Sequence, residues 1–409
     1  MAGNNFIASL DIGTDKVALL VSEVEDNGHQ KIIAHNICSS EGVRKGSIHS
    51  IEALSRTLLK LVNQTENSYS LNMGLFRVNL SDSHLTCTDG KGKIPIDGMI
   101  TKNDYDLVRK TATAMSTPTN KLKLHTINKK FIINETFVVD DPIEMEAEVL
   151  ESKVHIVTVS SASVRNIENC LKQSNLEVDD IVLNPIAKSN ALLSQDDKDN
   201  GVCLIDIGAG VSSYTIFDGE GIVRSGIIPM GGDEINQEIA YAFDTSIEEA
   251  KRLKENYGVA KSSTLKEDSL INFKQSTNND DHQLSCLQLS EVIEEAYREI
   301  LILLKNELKF HNLDGIIKSG FILSGGGSEI NAFEELVRDF FTRRVKKGMI
   351  QRSKISGLET VLTDYRYAGA IGLLLNTKDM NLSDKSISKG NKAVSYTHLR
   401  AHETREDIV

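Results

Sequence analysis

Asp11, Gly13, Thr14 and Lys16 fall within FIASLDIGTDKVALLVSEV (residues 6–24), between two apolar runs. Asp206, Gly208 and Gly210 hold the same layout within VCLIDIGAGVSSYTIF (residues 202–217). In each stretch an apolar strand ends in aspartate, a glycine-containing turn reverses the chain, and a second strand returns. Glycine lets backbone amides approach an anion with no Cβ in the way, so both turns are shaped to cradle phosphate. Lys16 can meet a phosphate as a point charge. Asp11 and Asp206 offer the hard oxygen ligands that suit Mg²⁺ through its water shell. One such turn is also an ordinary hairpin. Two of them, each with a carboxylate at the end of a buried strand, call for a shared cation, because buried charge without a partner is costly. A single Mg·nucleotide held between two lobes would meet that need.

Two further glycine-rich turns precede helical patterns. Gly325, Gly326, Gly327 and Ser328 follow the strand-like Gly320–Ser324, and three glycines let the chain lie flat against a base or ribose beside a helix N-terminus. Gly231 and Gly232 belong to Met230-Gly-Gly-Asp-Glu, also ahead of a helix. There is no GxxxxGK[ST], and no GxGxxG opens a helix after the first strand. His398 and His402 are spaced for a helical metal pair but lack a third ligand, and Ser160, Ser161, Ser212 and Ser213 have no nameable base partner.

The elements that must position these groups divide the chain into a duplicated pair of lobes. A first lobe covers 1–80 and 161–200, with helical patterns at Ile51–Val62 and Val164–Gln173 and strands at Leu75–Leu80 and Asp180–Leu183. An α+β block is inserted at 81–160, with a helix at Asp104–Met115 and strands at Lys130–Val139 and Lys153–Val159. The second lobe covers 201–235 and 320–375, ending in the small-residue helix Tyr365–Leu375. A subdomain at 236–319 carries helices at Glu234–Phe243, Ser246–Tyr257 and Ser290–Leu308. The polar stretch Ser262–Leu284 is expected to be a mobile loop. From 376 to 409 no sustained pattern appears, and 394–409 (VSYTHLRAHETREDIV) reads as translated vector sequence outside the fold.

The 409 residues are 40% hydrophobic and 25% charged, an ordinary globular composition, and the net charge of −12 argues against nucleic-acid binding. Five cysteines are scattered without a CxxC pair, and Cys203 in an apolar run reads as a buried free thiol in a reducing compartment. No leader is visible, and no stretch approaches the roughly 18 apolar residues that span a bilayer.

The order DIGT, inserted block, DIGxG, GGD-helix, SGGG-helix and small-residue helix is that of the actin, Hsp70 and sugar-kinase superfamily. Over residues 5–375 the chain resembles the FtsA family of bacterial division proteins, carried by DIGTDKVALLVSEV, GVRKGSIHSIEAL, LSDSHLTCTDGKGKIPI, KVHIVTVSSASVRNIENCL, IPMGGDEINQEIAYAFDT and GFILSGGGSEINAFEEL. The resemblance implies an actin-like two-lobed α/β fold of duplicated ribonuclease-H-like domains, with 81–160 as the FtsA-type SHS2-like insertion. It implies ATP and Mg²⁺ as ligands: Gly13, Thr14, Lys16, Gly208, Gly210, Gly231 and Gly232 at the phosphates, Asp11 and Asp206 at the metal, and Gly325–Ser328 at the adenosine. Lys251 would reach the ribose, although within EEAKRLKE a solvent-facing lysine is the alternative. The implied role is an adaptor that self-associates, links FtsZ filaments to the cytoplasmic face of the inner membrane at the septum, and recruits later division proteins through 81–160. A sugar-type kinase or an Hsp70-like chaperone of the same superfamily are the alternatives. Two departures stand out. The second turn reads DIGAGV where the family commonly has DIGGGT, so Val211 supplies no hydroxyl, which bears on hydrolysis more than on binding. The family's C-terminal amphipathic membrane helix has no counterpart after Asn376.

Overall fold

The computed structural model describes residues 6–376, apart from residue 115 and residues 277–280. The expectations about the tail from 377 onward lie outside the described residues.

Both apolar hairpins become the centres of sheets. Val17 to Val21 are all buried, as are all residues of Val202–Ile207, so neither strand alternates: both faces are covered. The first sheet runs Glu177–Leu183, Leu75–Leu80, Phe6–Ile12, Lys16–Val24, Gln30–Ser39, with Ile355–Gly357 at its far edge. The second runs Val345–Lys347, Gly320–Ser324, Val202–Ile207, Ser212–Asp218, Gly221–Ile228. In each, a three-stranded antiparallel meander is extended by two parallel strands on the side of its first strand. The internal repeat is thus a repeat of topology. One apolar cluster fills the first lobe and reaches Val202, Leu204, Phe217, Ile222 and Ile322 of the second sheet; another fills the rest of the second lobe. Residues 355–375, expected in the second lobe, pack on the first instead: Ile355–Gly357 pairs with residues 30–32, and Ala368, Ile371 and Leu374 join the first cluster.

The chain crosses between lobes at the helix Asn184–Leu192, which starts with a proline in its first turn. The helix Ala368–Leu375 packs against it so closely that a Cβ on Gly372 would stand 1.8 Å from the Ala187 carbonyl oxygen. Small residues let the two backbones touch. A second crossing, 348–354, runs alongside: Gln351 N–H donates to the Ala191 carbonyl at 2.8 Å.

The inserted block is a four-stranded antiparallel sheet, Thr86–Met99, Glu146–Ser160, Lys121–Ile133 and Phe137–Val139, with the helix Lys102–Ala112 laid on it. Its separate core includes Ile94, Ile100, Val108, Phe131 and Leu150. The strand expected at Lys130–Val139 is instead two strands, because Asn134 and Glu135 adopt φ of 47° and 62° and turn the chain. Thr101 and Asp104 cap the helix reciprocally and set its start.

The expectation of a mobile loop at Ser262–Leu284 is overturned. That stretch holds a one-turn helix, Ser262–Thr264, and a hairpin of Leu270–Lys274 with Asp281–Ser285. Ile271, Phe273 and Leu284 are buried against the long helix Cys286–Phe310, so three alternately placed apolar side chains outweigh the polar composition around them.

Gly372→Ala is expected to force those two helices apart. Overpacking of this kind costs about 1–3 kcal/mol, to be read as a lower denaturant midpoint with an unchanged m-value.

Candidate functional site

The two aspartate-ended hairpins close with the same turn. Ile12 pairs with Val17 and Ile207 with Ser212. In the first turn Gly13 N–H donates to the Lys16 carbonyl at 2.9 Å; in the second Gly208 N–H donates to the Val211 carbonyl at 3.0 Å. Lys16 therefore corresponds by position to Val211. The turns meet across the cleft: Thr14 Oγ1 accepts from Gly46 N–H at 3.1 Å, and a Cβ on Gly210 would stand 2.7 Å from that same oxygen. The second turn also seats a helix, since its Gly208 and Ala209 carbonyls accept from Gly232 and Asp233 N–H at 2.9 and 2.8 Å. Two of the orphan amides at the start of Gly232–Phe243 are thereby used by the turn itself.

Between the turns lies a cavity of about 460 Å³, within the few-hundred-Å³ range of small-molecule sites. It brings together Asp11, Gly13, Thr14, Lys16, Asp206, Gly208, Gly210, Gly232, Lys251, Gly325, Gly326 and Gly327. Two of the residues singled out from sequence stand outside it. Gly231 N–H donates to Glu234 Oε2 at 2.8 Å, and the buried Ser328 donates its hydroxyl to the Gly325 carbonyl at 2.7 Å. Both shape the turns that line the cavity. Gly325 sits at φ 86°, and a Cβ there would come within 2.6 Å of Asp206 Oδ1, so only glycine passes.

Asn79, Asn184, Lys188, Asn236, Lys254 and Tyr365 also line the cavity and were not anticipated. Asn79, next to last in the strand Leu75–Leu80, clamps Asp11: its Nδ2 donates to Asp11 Oδ1 at 2.6 Å, and its Oδ1 accepts from Ile12 N–H at 2.7 Å. Lys188, one turn into the crossing helix, donates to Asp206 Oδ1 at 2.6 Å. The usable signal is positional, because ligands in such sheets collect beyond the carboxyl ends of the strands. Asn236 is 4% exposed and its Oδ1 has no partner among the described residues.

Burial pushes the Asp11 carboxyl above its ordinary range, while Lys188 and Lys16 pull it back. Burial draws Lys16 down, opposed by Asp11. At the mouth, Lys251 bonds Asp15 at 3.0 Å across the lobes, and this pairing, led by the hydrogen bond, raises its pKa. Lys45 pairs with Glu234 at 2.7 Å beside it. The turns, with their convergent amides and lysines, fit a polyphosphate. Asp11 and Asp206 are oxygen donors suited to Mg²⁺, but Asp206 already holds the Lys188 ammonium and Asp11 the Asn79 amide. A divalent ion between them would have to displace Lys188.

Solved structures define the class: this is an actin-like fold. A chain of a PilM–PilN type IV pilus biogenesis complex aligns with TM-score 0.63 at 15% identity, covering 90% of this chain and 97% of that one. MreB5 of Spiroplasma citri bound to ADP aligns with TM-score 0.55 at 14% identity over 90% of this chain and 94% of that one. Within that class the chain belongs to the FtsA family of cell-division proteins. The model described as Cell division protein FtsA matches residues 203–372, and that described as SHS2 domain inserted in FTSA matches 82–158. Cell division protein FtsA of Pseudomonas aeruginosa is 30% identical over 396 residues, covering 97% of this chain and 94% of that protein. Its counterpart in Escherichia coli K12 is 27% identical over 388 residues, covering 93% and 92%.

Lys254 supplies a pH test. Burial draws its ammonium down to about 8, against the pull of Asp233 and Glu255. A bound polyphosphate favours the protonated form, so ATP affinity measured by calorimetry is expected to fall as pH rises through about 8. Lys254→Met is expected to remove that dependence.

Proposed function

We propose that the cleft binds ATP and that the chain acts as a self-associating adaptor of the division machinery, coupling FtsZ filaments to the inner membrane. The observation that carries the nucleotide reading is the pair of equivalent glycine turns facing each other across one cavity, with the Gly325–Gly327 turn on a third side. Phosphates would lie against the tips of the two turns, residues 14–15 and 209–210, since the Gly13 and Gly208 amides close the turns themselves, with Lys16 as counter-charge. The nucleoside would lie toward Gly326 and Tyr365, which line the cavity beside the third glycine turn. Hydrolysis is proposed to be slow, because Val211 offers no hydroxyl and positioning of the attacking water is most of the catalytic task.

Gly326 allows a clean test. A Cβ there meets only the Tyr365 ring, at an ordinary 3.6 Å, and the backbone is unstrained. Gly326→Val should keep the thermal midpoint and place its bulk in the cavity, lowering ATP affinity by about tenfold or more. Unchanged affinity would remove the nucleotide from this cleft.

The adaptor reading draws on the inserted block. It has its own core, it meets the cavity only at its first residue, Ser81, and its edge strand Phe137–Val139 leaves Phe137 and Val138 exposed. An exposed apolar edge strand is a ready surface for another chain. Later division proteins are proposed to dock on this block. Phe137→Asp should leave ATP binding as it is and abolish co-purification of those proteins. Attachment to the inner membrane is proposed to be peripheral; among the described residues no helix is long and apolar enough to cross a bilayer.

A further inference from the structure

The closed end of the cavity carries its own charge balance. Two carboxylates, Asp11 and Asp206, face two ammonium groups, Lys16 and Lys188. Lys188 and Asp206 form the tightest of these contacts, at 2.6 Å, with side chains only 13% and 5% exposed. A lysine stem taken out of water in this way is retained only where carboxylates hold it. The 2.6 Å ion pair with Asp206 holds the ammonium in place, with Asp11 on the same wall of the cavity.

Its placement is rigid. Lys188 follows Ala187, whose carbonyl abuts Gly372 of the packed helix, and Asn184 on the same helix accepts from Asn79 Nδ2 at 3.2 Å. Asp11 is enclosed as well: one oxygen takes the Asn79 amide, and the other lies where a Cβ on Gly369 would be 2.3 Å away. A dication entering here would meet one carboxylate already ion-paired and another already covered. It would also sit against two ammonium groups that repel it.

We propose that Lys188 supplies from within the chain the positive charge that a divalent ion would place between Asp206 and the nucleotide phosphates, so that nucleotide binding here does not require a divalent cation. This rests on the nucleotide reading of the cleft. In that arrangement Lys188 keeps Asp206 neutralised and turns its remaining N–H donors to phosphate oxygens, while Lys16 serves the first turn.

Calorimetric titration of the full chain with ATP, in excess EDTA and in excess MgCl₂, tests this directly. The two dissociation constants are expected to agree within about fivefold. Lys188→Ala, which vacates the position, is expected to bind with a larger EDTA penalty that MgCl₂ restores. A larger than fivefold loss of wild-type affinity in EDTA overturns the proposal, as does a Lys188→Ala variant equally indifferent to EDTA. Should Lys188→Ala lose its fold, the wild-type pair of titrations decides alone. Absence of binding in both buffers overturns the nucleotide reading itself, and this inference with it.

Discussion

Two aspartates buried at the ends of equivalent strands are the constraint from which the rest of the site follows. Asp11 and Asp206 are 7% and 3% exposed, and neither could be held ionised there without compensation. Compensation comes from elements that strand order brings close. Asn79 lies on the strand parallel to Asp11's own, Lys188 on the helix that leaves the next strand, and Gly369 and Gly325 make room for the carboxyl groups. The sheet order, the crossing helix and the small-residue helix against it thus all serve one electrostatic demand. The glycine turns beyond the aspartates carry amides rather than side chains, which leaves the cavity between them receptive to anions.

The lobes are joined at the mouth by weaker means. Lys251 with Asp15 and Lys45 with Glu234 span the cleft, but three of these four side chains are about half exposed. Exposed pairs of this kind contribute about 0–1 kcal/mol each and are screened by salt. The closed end is therefore rigid and the open end easily parted. That gradient suits a site whose ligand must enter.

The duplicated turns were legible because their chemistry lies on consecutive residues: DIG followed by a short reversal is visible wherever it occurs. The partners of those aspartates were not. Asn79 is 68 positions from Asp11 and Lys188 is 18 from Asp206, and nothing local marks either one. Composition misled in two places. Ser262–Leu284 looked like a loop because its apolar residues are few, yet Ile271, Phe273 and Leu284 sit at the alternation a hairpin needs. Thr86–Met99 escaped notice as a strand because Gly90 and Gly92 interrupt it; those glycines are where the helix Lys102–Ala112 presses onto the sheet, with Ala112 backbone 2.1 and 2.4 Å from where a Cβ would stand.

The two crossings between lobes run side by side, with Gln351 bonded to the Ala191 and Leu192 carbonyls at 2.8 and 3.3 Å. Two solid bodies tied along one line keep a single easy degree of freedom, rotation about that line, whereas sliding or twisting would shear both tethers. Displacement in such a motion grows with the lever arm. Lys188, on the crossing helix itself, holds nearly still while groups farther from the crossings sweep a wider arc. The far side of the lobes is thus a mechanical amplifier: a small rotation about the crossings is enlarged there into a displacement that another molecule bound on both lobes could feel.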